Sequence, residues 1–229
     1  EIMELCEAEE DKAIAKEGLT AKFCCKELSK FIKADTIITT GVGQHQMFGE
    51  HFIMRKNPRT WITSGGAGTM GFGLPAAMGA KVAKPDVEVY DLDGDGSFQM
   101  TAQELATVKE HKIKVVPIIL NNRYLGMVRQ WLELFQKKRY SGVEYTGNPS
   151  FQKMAEAFHL KGITVTKKSE FVDALKQARK NDETTVLDVM VEEEENILPM
   201  LPPASKLKEI IGGSVIFKQN WDDVLAARK

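Results

Sequence analysis

The amino-acid sequence predicts an α/β fold, a parallel six-stranded sheet with helices on both of its faces. From Leu19 onward, short apolar segments alternate with longer segments whose apolar residues recur at helical spacing. Strands that alternate with helices are typical of right-handed βαβ units, which place the strands parallel and cover both faces of the sheet. The chain contains no internal repeat, so the six strands are expected to form a single sheet.

The predicted elements follow one another along the chain. Strands are predicted at 35–40, 60–64, 162–165 and 184–191, with two more inside the stretch 87–122. Helices are predicted at 20–32, from the glycines near 71 to about 83, after Ser97, and at 125–137, 151–158 and 169–179.

The 229 residues divide into three regions. Residues 1–18 are charge-dense and are expected to be a linker or N-terminal extension, as a solvated helix or without regular structure. Residues 19–212 form the predicted domain, and 213–229 are a C-terminal tail. The first residue is Glu rather than Met, which indicates a piece of a longer protein.

The composition excludes several classes of partner. The formal net charge is -1 with mixed signs, so we expect no nucleic-acid partner. No apolar run is long enough for a membrane span, and no signal peptide is recognisable. The three cysteines, Cys6, Cys24 and Cys25, have neither CxxC nor metal-site spacing, and their odd number fits a reducing, cytoplasmic compartment.

The central stretch 87–122 combines an apolar strand, an acidic glycine-rich loop at 93–97 (DGDGS), a helix and a second strand that ends at Asn121 and Asn122. Because the carboxyl ends of parallel strands face one crevice, the acidic loop and the amides are expected to meet there. Oxygen ligands with open positions suit Mg²⁺ bound through a phosphate. The glycines let backbone N–H groups approach that phosphate, and Ser97 is expected to begin a helix whose N-terminus favours anions. The stretch predicts a magnesium-diphosphate site.

Two alternatives compete with this interpretation, an ordinary turn and a calcium loop. Residues of this kind also favour an ordinary turn without a ligand. The run Asp91-x-Asp93-x-Asp95-Gly96 opens like a calcium loop, but such a loop needs a bidentate Glu at its twelfth position, which is Ala102 here. The segment before the loop also reads as a strand rather than a helix.

A dinucleotide site is a third alternative. Gly66, Gly68 and Gly71 match the pattern GxGxxG after a strand, and Asp91 lies 20 residues beyond Gly71, where a Rossmann fold holds a ribose. The preceding strand TWITS at 60–64 is short and half polar, unlike the buried first strand of such a fold.

The sequence resembles the catalytic large subunit of acetolactate synthase (acetohydroxyacid synthase), in its C-terminal thiamine diphosphate-binding domain. The spacing GDG, 24 residues (97–120), then NN is similar to the signature of thiamine diphosphate enzymes. The resemblance covers about 19–212 and includes further motifs: GQHQM (43–47), TSGG (63–66), MGFGLPAA (70–77), LGMV (125–128), QW (130–131), EEEN (193–196) and LPM (198–200).

This resemblance implies a set of site residues. The implied Mg²⁺ ligands are Asp95, Asn122 and the backbone carbonyl of Tyr124. Met127 and Trp131 would form the wall of the substrate channel, although their i, i+4 spacing also fits ordinary core residues. The implied cofactor-binding residues are Val42, Gly43, Gln44, His45, Gly68, Met70, Gly94, Gly96, Ser97, Asn122, Leu125, Gly126 and Met127.

The resemblance also implies what the chain lacks. The complete enzymes decarboxylate pyruvate on thiamine diphosphate and condense the two-carbon unit with pyruvate or 2-oxobutyrate, in branched-chain amino acid biosynthesis. They are homo-oligomers with a central FAD-linked domain, and a regulatory small subunit can join them. Their activating glutamate comes from the pyrimidine-binding domain of a neighbouring subunit, so no catalytic residue is expected here and the chain alone should be inactive.

The sequence departs from the family pattern at several positions, and two further functional classes stay open. Phe48 stands where many members have Trp, and Arg123, Tyr124 and Arg129 occupy variable positions, which puts the channel shape in doubt. The first alternative is a subunit of another thiamine diphosphate-dependent 2-oxo acid decarboxylase. The second is a non-catalytic dinucleotide-binding module.

Overall fold

The computed structural model describes residues 18–202, 204–206 and 209–211. The expectations for 1–17 and 213–229 lie outside these residues, and the domain boundaries near 19 and 212 stay predictions. One compact unit spans Gly18–Glu195. The described residues from Asn196 belong to a second unit, in which Met200 and Ile211 form an antiparallel bridge.

The sheet of the larger unit has six strands, all parallel, as the sequence predicts. Its order is β2-β1-β3-β4-β6-β5. The strands are β1 (Ile37–Thr40), β2 (Trp61–Ile62), β3 (Val89–Gly94), β4 (Val116–Asn121), β5 (Lys161–Val165) and β6 (Thr185–Met190).

The helices agree with the sequence prediction except in two places. One helix, α2, begins at Gln44 where a loop was expected, and the helix expected after Ser97 begins at Asp95 and is broken into short pieces. None of the helices in the described part of the chain has the length and apolar character that a bilayer crossing requires. The helices are α1 (Ala21–Phe31), α2 (Gln44–Phe52), α3 (Gly73–Ala83), α4 (Asp95–Gln99), a 3-10 turn (Ala102–Glu104), α5 (Leu105–Glu110), α6 (Gly126–Phe135), α7 (Phe151–Ala157) and α8 (Lys168–Lys180).

Helices cover both faces of the sheet, because the buried strands carry apolar side chains on both sides. On one face, α3, α5 and α7 pack against a core that includes Leu74, Leu105 and Phe151. On the other face α1 packs on α2 and α8, and Tyr90 of β3 meets Phe31 edge-on, with ring centroids 6.5 Å apart. All residues of β3 and β4 are buried, including Asp91 and Asp93 of β3.

The strand order reverses at β1, which has β2 on one side and β3 on the other. After β1 the chain enters α2, which packs on one face of the sheet, and after β3 it enters the segment leading to α5 on the opposite face. The two loops therefore diverge and open a crevice outside the carboxyl ends of these strands. Ligands of open α/β sheets bind at such a point.

Candidate functional site

A cavity lies at this crevice, outside the carboxyl ends of β1, β3 and β4. The structure brings fifteen sequence-predicted residues together in its lining: Val42, Gly43, Gln44, His45, Gly68, Met70, Gly94, Asp95, Gly96, Ser97, Asn122, Tyr124, Leu125, Gly126 and Met127. The lining also contains seven residues that the sequence analysis missed as site residues: Ala21, Phe48, Leu120, Val128, Val191, Glu192 and Glu195.

Asp95 lies at the turn from β3 into α4, and its carboxylate is oriented by donors that include Gly96, Asn148 and the backbone of Arg123. Its Oδ1 accepts a hydrogen bond from the N–H of Gly96 at 3.0 Å, and its Oδ2 accepts one from Nδ2 of Asn148 at 2.5 Å. Burial raises the pKa of Asp95 to about 6, while the bonds from Asn148 and the backbone act in the opposite direction. These donors favour the ionised form that a metal requires.

The side chains of Asn121 and Asn122, at the end of β4, point in different directions. Asn122 lines the cavity, where its Oδ1 accepts the N–H of Tyr124 at 3.1 Å. Asn121 is the last residue of β4, and its Nδ2 donates to Oδ1 of Asp188 on β6 at 3.0 Å. Of the predicted amide pair, only Asn122 is in the lining of the cavity.

Gln44, the first residue of α2, is held by two acceptors. Its Nε2 donates to Oε1 of Gln130 at 2.8 Å and to the carbonyl of Glu195 at 2.7 Å. A Cβ on Gly126 would meet Oε1 of Gln44 and would lie 2.7 Å from Nδ2 of Asn122. Glycine at position 126 therefore lets α6 begin close to both side chains.

His45 follows Gln44 in α2, is buried, and forms a hydrogen bond with the backbone of Gly41. Burial lowers its pKa to about 3, so the imidazole is neutral near pH 7. Its Nε2 lies 3.4 Å from Oδ1 of Asp93, and within the described residues this nitrogen has no hydrogen-bond partner. A Cβ on Gly94 would lie 2.5 Å from Nδ1 of His45, which explains the need for glycine there.

Asp91 and Asp93 are fully buried on the side of the sheet that α3 covers. Oδ1 of Asp91 accepts from the hydroxyl of Thr39 at 3.2 Å, and Oδ1 of Asp93 accepts from the N–H of Gly94 at 2.9 Å. Burial, together with the nearby charge of Asp93, raises the pKa of Asp91 well above its usual range. Burial raises the pKa of Asp93 to about 7.

These positions do not match the geometry of the calcium and dinucleotide alternatives for the acidic loop. Asp91 and Asp93 lie within β3 and are absent from the cavity lining, and no cluster of three or more His, Cys, Asp or Glu residues in the described ranges could hold a metal. The strand before the GxGxxG run, β2, pairs with β1 and not with β3, so Asp91 does not lie at the end of a neighbouring strand as a ribose-binding residue would.

Ser97 is the third residue of α4 rather than the start of a helix. Its hydroxyl oxygen accepts hydrogen bonds from the N–H of Val42 at 3.2 Å and the N–H of Gly71 at 3.1 Å. The same hydroxyl donates a hydrogen bond to the carboxylate of Asp93. Ser97 therefore joins the loop after β1, the glycine-rich loop before α3 and the end of β3. It shapes the cavity through the loops that it connects.

Of the two predicted channel residues on α6, only one lies in the lining of the cavity. Met127 lines the cavity, whereas Trp131 lies outside this lining and packs on Phe135, with ring centroids 4.9 Å apart. Glu195 was missed by the sequence analysis: its Oε2 accepts the N–H of Ala21 at 2.6 Å at the start of α1, and burial raises its pKa to about 7.

Residues 41–189 match the family of thiamine pyrophosphate enzymes, in its C-terminal domain that binds thiamine pyrophosphate (TPP, thiamine diphosphate). The chain belongs to this family. The matched range contains the loops that follow β1, β3 and β4, and therefore most of the cavity of this TPP-binding domain.

Curated relatives of this TPP-binding domain are acetolactate synthase subunits. The chain is 43% identical over 195 residues to the isozyme 2 large subunit of acetolactate synthase from Escherichia coli, covering 85% of the chain and 36% of that protein. It is 47% identical over 180 residues to a probable acetolactate synthase large subunit from Methanococcus aeolicus, covering 79% and 30%. It is 41% identical over 203 residues to the chloroplastic acetolactate synthase 1 of rice, covering 85% and 31%. The chain thus spans about a third of the length of these relatives.

The residues of the cavity fit the cofactor that names the family. The lining places one carboxylate (Asp95) and one amide (Asn122) beside glycine-rich loops, which is a donor set suited to Mg²⁺ and a phosphate. The neutral imidazole of His45 lies in the same lining.

Proposed function

We propose that this chain is the diphosphate-binding domain of an acetolactate synthase. The observation that carries the proposal is the convergence of Asp95, Asn122 and the glycine-rich loops on one cavity at the reversal of the strand order. Identities of 41–47% to acetolactate synthase large subunits support it.

The residues of the cavity receive distinct roles in this proposal. Asp95, the side chain of Asn122 and the carbonyl of Tyr124 hold Mg²⁺. The loops after β1 and β3 surround the diphosphate, and Gly68 and Met70 lie beside the aminopyrimidine. The diphosphate residues are Val42, Gly43, Gln44, His45, Gly94, Gly96 and Ser97; Leu125, Gly126 and Met127 complete the cofactor site, and Met127 with Trp131 forms the channel wall.

The bound cofactor would supply an electron sink for the decarboxylation of pyruvate. The two-carbon unit would then join a second 2-oxo acid, pyruvate or 2-oxobutyrate, as the first step towards branched-chain amino acids. This chain would hold and orient the diphosphate, while the activating glutamate would come from the pyrimidine-binding domain of a neighbouring subunit. The chain alone would be inactive.

The complete assembly would contain partners that this chain lacks. We expect a cytoplasmic homo-oligomer in which FAD binds a separate domain and a regulatory small subunit joins the catalytic subunits. Neither nucleic acid nor a membrane is expected as a partner, because the net charge is -1 with mixed signs.

Calorimetric titration of thiamine diphosphate into the chain tests the proposal. Binding is expected with Mg²⁺ and is expected to disappear with EDTA and in Asp95→Ala, because the carboxylate is the single charged ligand in the proposed set. Binding of thiamine diphosphate that depends neither on Mg²⁺ nor on Asp95 would contradict the metal-diphosphate assignment. Binding of NADH without binding of thiamine diphosphate would favour the dinucleotide module.

Product analysis separates acetolactate synthase from a related decarboxylase. The chain is combined with a pyrimidine-binding domain of an acetolactate synthase and is supplied with pyruvate, Mg²⁺, thiamine diphosphate and FAD. The proposal expects 2-acetolactate as the product. Acetaldehyde as the main product would assign the chain to another 2-oxo acid decarboxylase.

A further inference from the structure

A series of hydrogen bonds runs from Asp95 across the carboxyl ends of β4 and β6. Nδ2 of Asn148 donates to Oδ2 of Asp95 at 2.5 Å and to Oδ1 of Asn121 at 3.1 Å. Nδ2 of Asn121 donates to Oδ1 of Asp188 at 3.0 Å, and Oδ2 of Asp188 accepts the N–H of Phe151 at 3.2 Å. The network therefore ties the end of β3 to β4, β6 and the start of α7.

Asn148 is held in one orientation within this network. Its Oδ1 accepts from Nε2 of Gln99 at 3.2 Å, so its Nδ2 must face Asp95 and Asn121. Gln99 itself is held because the same Nε2 donates to the carbonyl of Asp95 at 3.1 Å. Two residues after Asn148, Ser150 caps α7 by accepting the N–H of Lys153, which anchors the loop.

The carboxylate of Asp95 has about four lone-pair sites on its two oxygens. The N–H of Gly96 occupies one site on Oδ1, the amide of Asn148 occupies one on Oδ2, and the backbone of Arg123 also donates to this carboxylate. Donors on opposite oxygens prevent rotation of the carboxylate. Its remaining lone pairs then keep a fixed direction towards the cavity that Asp95 lines.

We propose that Asn148 is a positioning residue that orients Asp95 for Mg²⁺. The inference rests on the proposed function, in which Asp95 is a metal ligand. Asn148 is not in the lining of the cavity, so its proposed effect on Mg²⁺ passes through its hydrogen bond to Asp95. Residues that hydrogen-bond to a metal ligand commonly set its orientation, and their loss typically weakens metal binding by about 10–100-fold.

The first test examines the geometry of Asp95 without any ligand. Crystal structures of the wild type, Asn148→Ala and the control Asn181→Ala are compared. Asn181 is the control, because its Nδ2 likewise donates to a side chain, that of Thr185 at 2.8 Å, at the far end of α8. We expect the carboxylate of Asp95 to rotate or to occupy several orientations in Asn148→Ala only. An unchanged Asp95 in that variant would overturn the inference.

The second test measures the Mg²⁺ requirement of thiamine diphosphate binding by calorimetry. Asn148→Ala is expected to need about 10-fold more Mg²⁺ than the wild type. Asn148→Asp is expected to need more still, because a second carboxylate would face Asp95, and Asn181→Ala is expected to match the wild type. An unchanged Mg²⁺ requirement in Asn148→Ala, or an equal rise in Asn181→Ala, would overturn the inference.

The two tests separate this inference from the proposed function. If the wild type failed to bind thiamine diphosphate with Mg²⁺ even beside a pyrimidine-binding domain, the proposed function would fail. The orientation of Asp95 in the crystal structures would still decide whether Asn148 positions it.

Discussion

Asp95 and the pair Asp91 and Asp93 belong to one acidic run, yet the structure places them in different environments. Asp91 and Asp93 lie within β3 and point under α3, where Oδ2 of each has no hydrogen-bond partner among the described residues. The chain then turns from β3 into α4, and Asp95 enters the cavity with donors on both oxygens of its carboxylate. The spacing of the three carboxylates therefore does not decide which of them reaches the cavity; the point at which the strand ends does.

Replacing Asp by Asn at position 95 and, separately, at position 91 is the strongest test of the difference between the two environments. Asp95→Asn is expected to weaken Mg²⁺-dependent binding of thiamine diphosphate by about 100-fold, because the proposed ligand loses its charge. Asp91→Asn is expected to leave that affinity unchanged. Calorimetry on both variants measures the effect, and an equal loss in both would break the distinction between the two regions.

Ser97 connects the two regions, and its removal is expected to act on stability. Ser97→Ala leaves the N–H groups of Val42 and Gly71 without their acceptor, which should lower the free energy of unfolding by about 2 kcal/mol. Urea denaturation measures this loss. Ser29→Ala is the control, because its hydroxyl accepts one N–H, from Met54, at an exposed position. Losses of equal size in the two variants would contradict the role of Ser97 as a connection between loops.

The buried pair should make stability depend on pH. The pKa of Asp91 is raised in the folded state, so its contribution is fully present below its usual pKa and is lost as pH rises. Asp91→Asn is expected to remove part of this decline and to raise the free energy of unfolding at pH 8 by about 1 kcal/mol or more, while the value at pH 3 changes little. Denaturation curves at the two pH values check this. A decline that is unchanged in the variant would show that Asp91 does not cause it.

The smallest effect is expected at Trp131. Because Trp131 packs on Phe135 outside the cavity lining, Trp131→Ala should leave the affinity for thiamine diphosphate unchanged. Met127→Ala, from within the lining, should weaken it. Titrations of thiamine diphosphate into both variants would show whether the boundary of the cofactor site passes between these residues. A loss of affinity confined to Trp131→Ala would contradict this boundary.

The sequence is sufficient for the fold class and for the six strands, because alternation of apolar segments and the order of βαβ units follow from local patterns. It is insufficient for α2, since the glycines before Gln44 indicate a loop and the helix is short. The second strand, predicted at 60–64, is present but is shorter, at Trp61–Ile62, because an edge strand with one neighbour needs few paired residues.

The candidate site was predictable where residues follow a strand directly. The resemblance and the loop chemistry together identified Asp95 and Asn122, and the structure places both in the cavity. Asn148 was not predictable, because it lies in a polar stretch before Pro149 that has the composition of an ordinary turn. Its contact with Asp95 spans 53 residues, a separation that no local pattern reports.

The position of β6 has a consequence for synthesis on the ribosome. β6 lies between β4 and β5, so neither strand has its full set of neighbours until residues 185–190 have emerged. β4 therefore stays an open edge for about 65 residues of translation, and β5 has no pairing partner at all. Unpaired strand edges promote association with other chains, so a nascent chain that stalls before Thr185 is expected to be a substrate for chaperones.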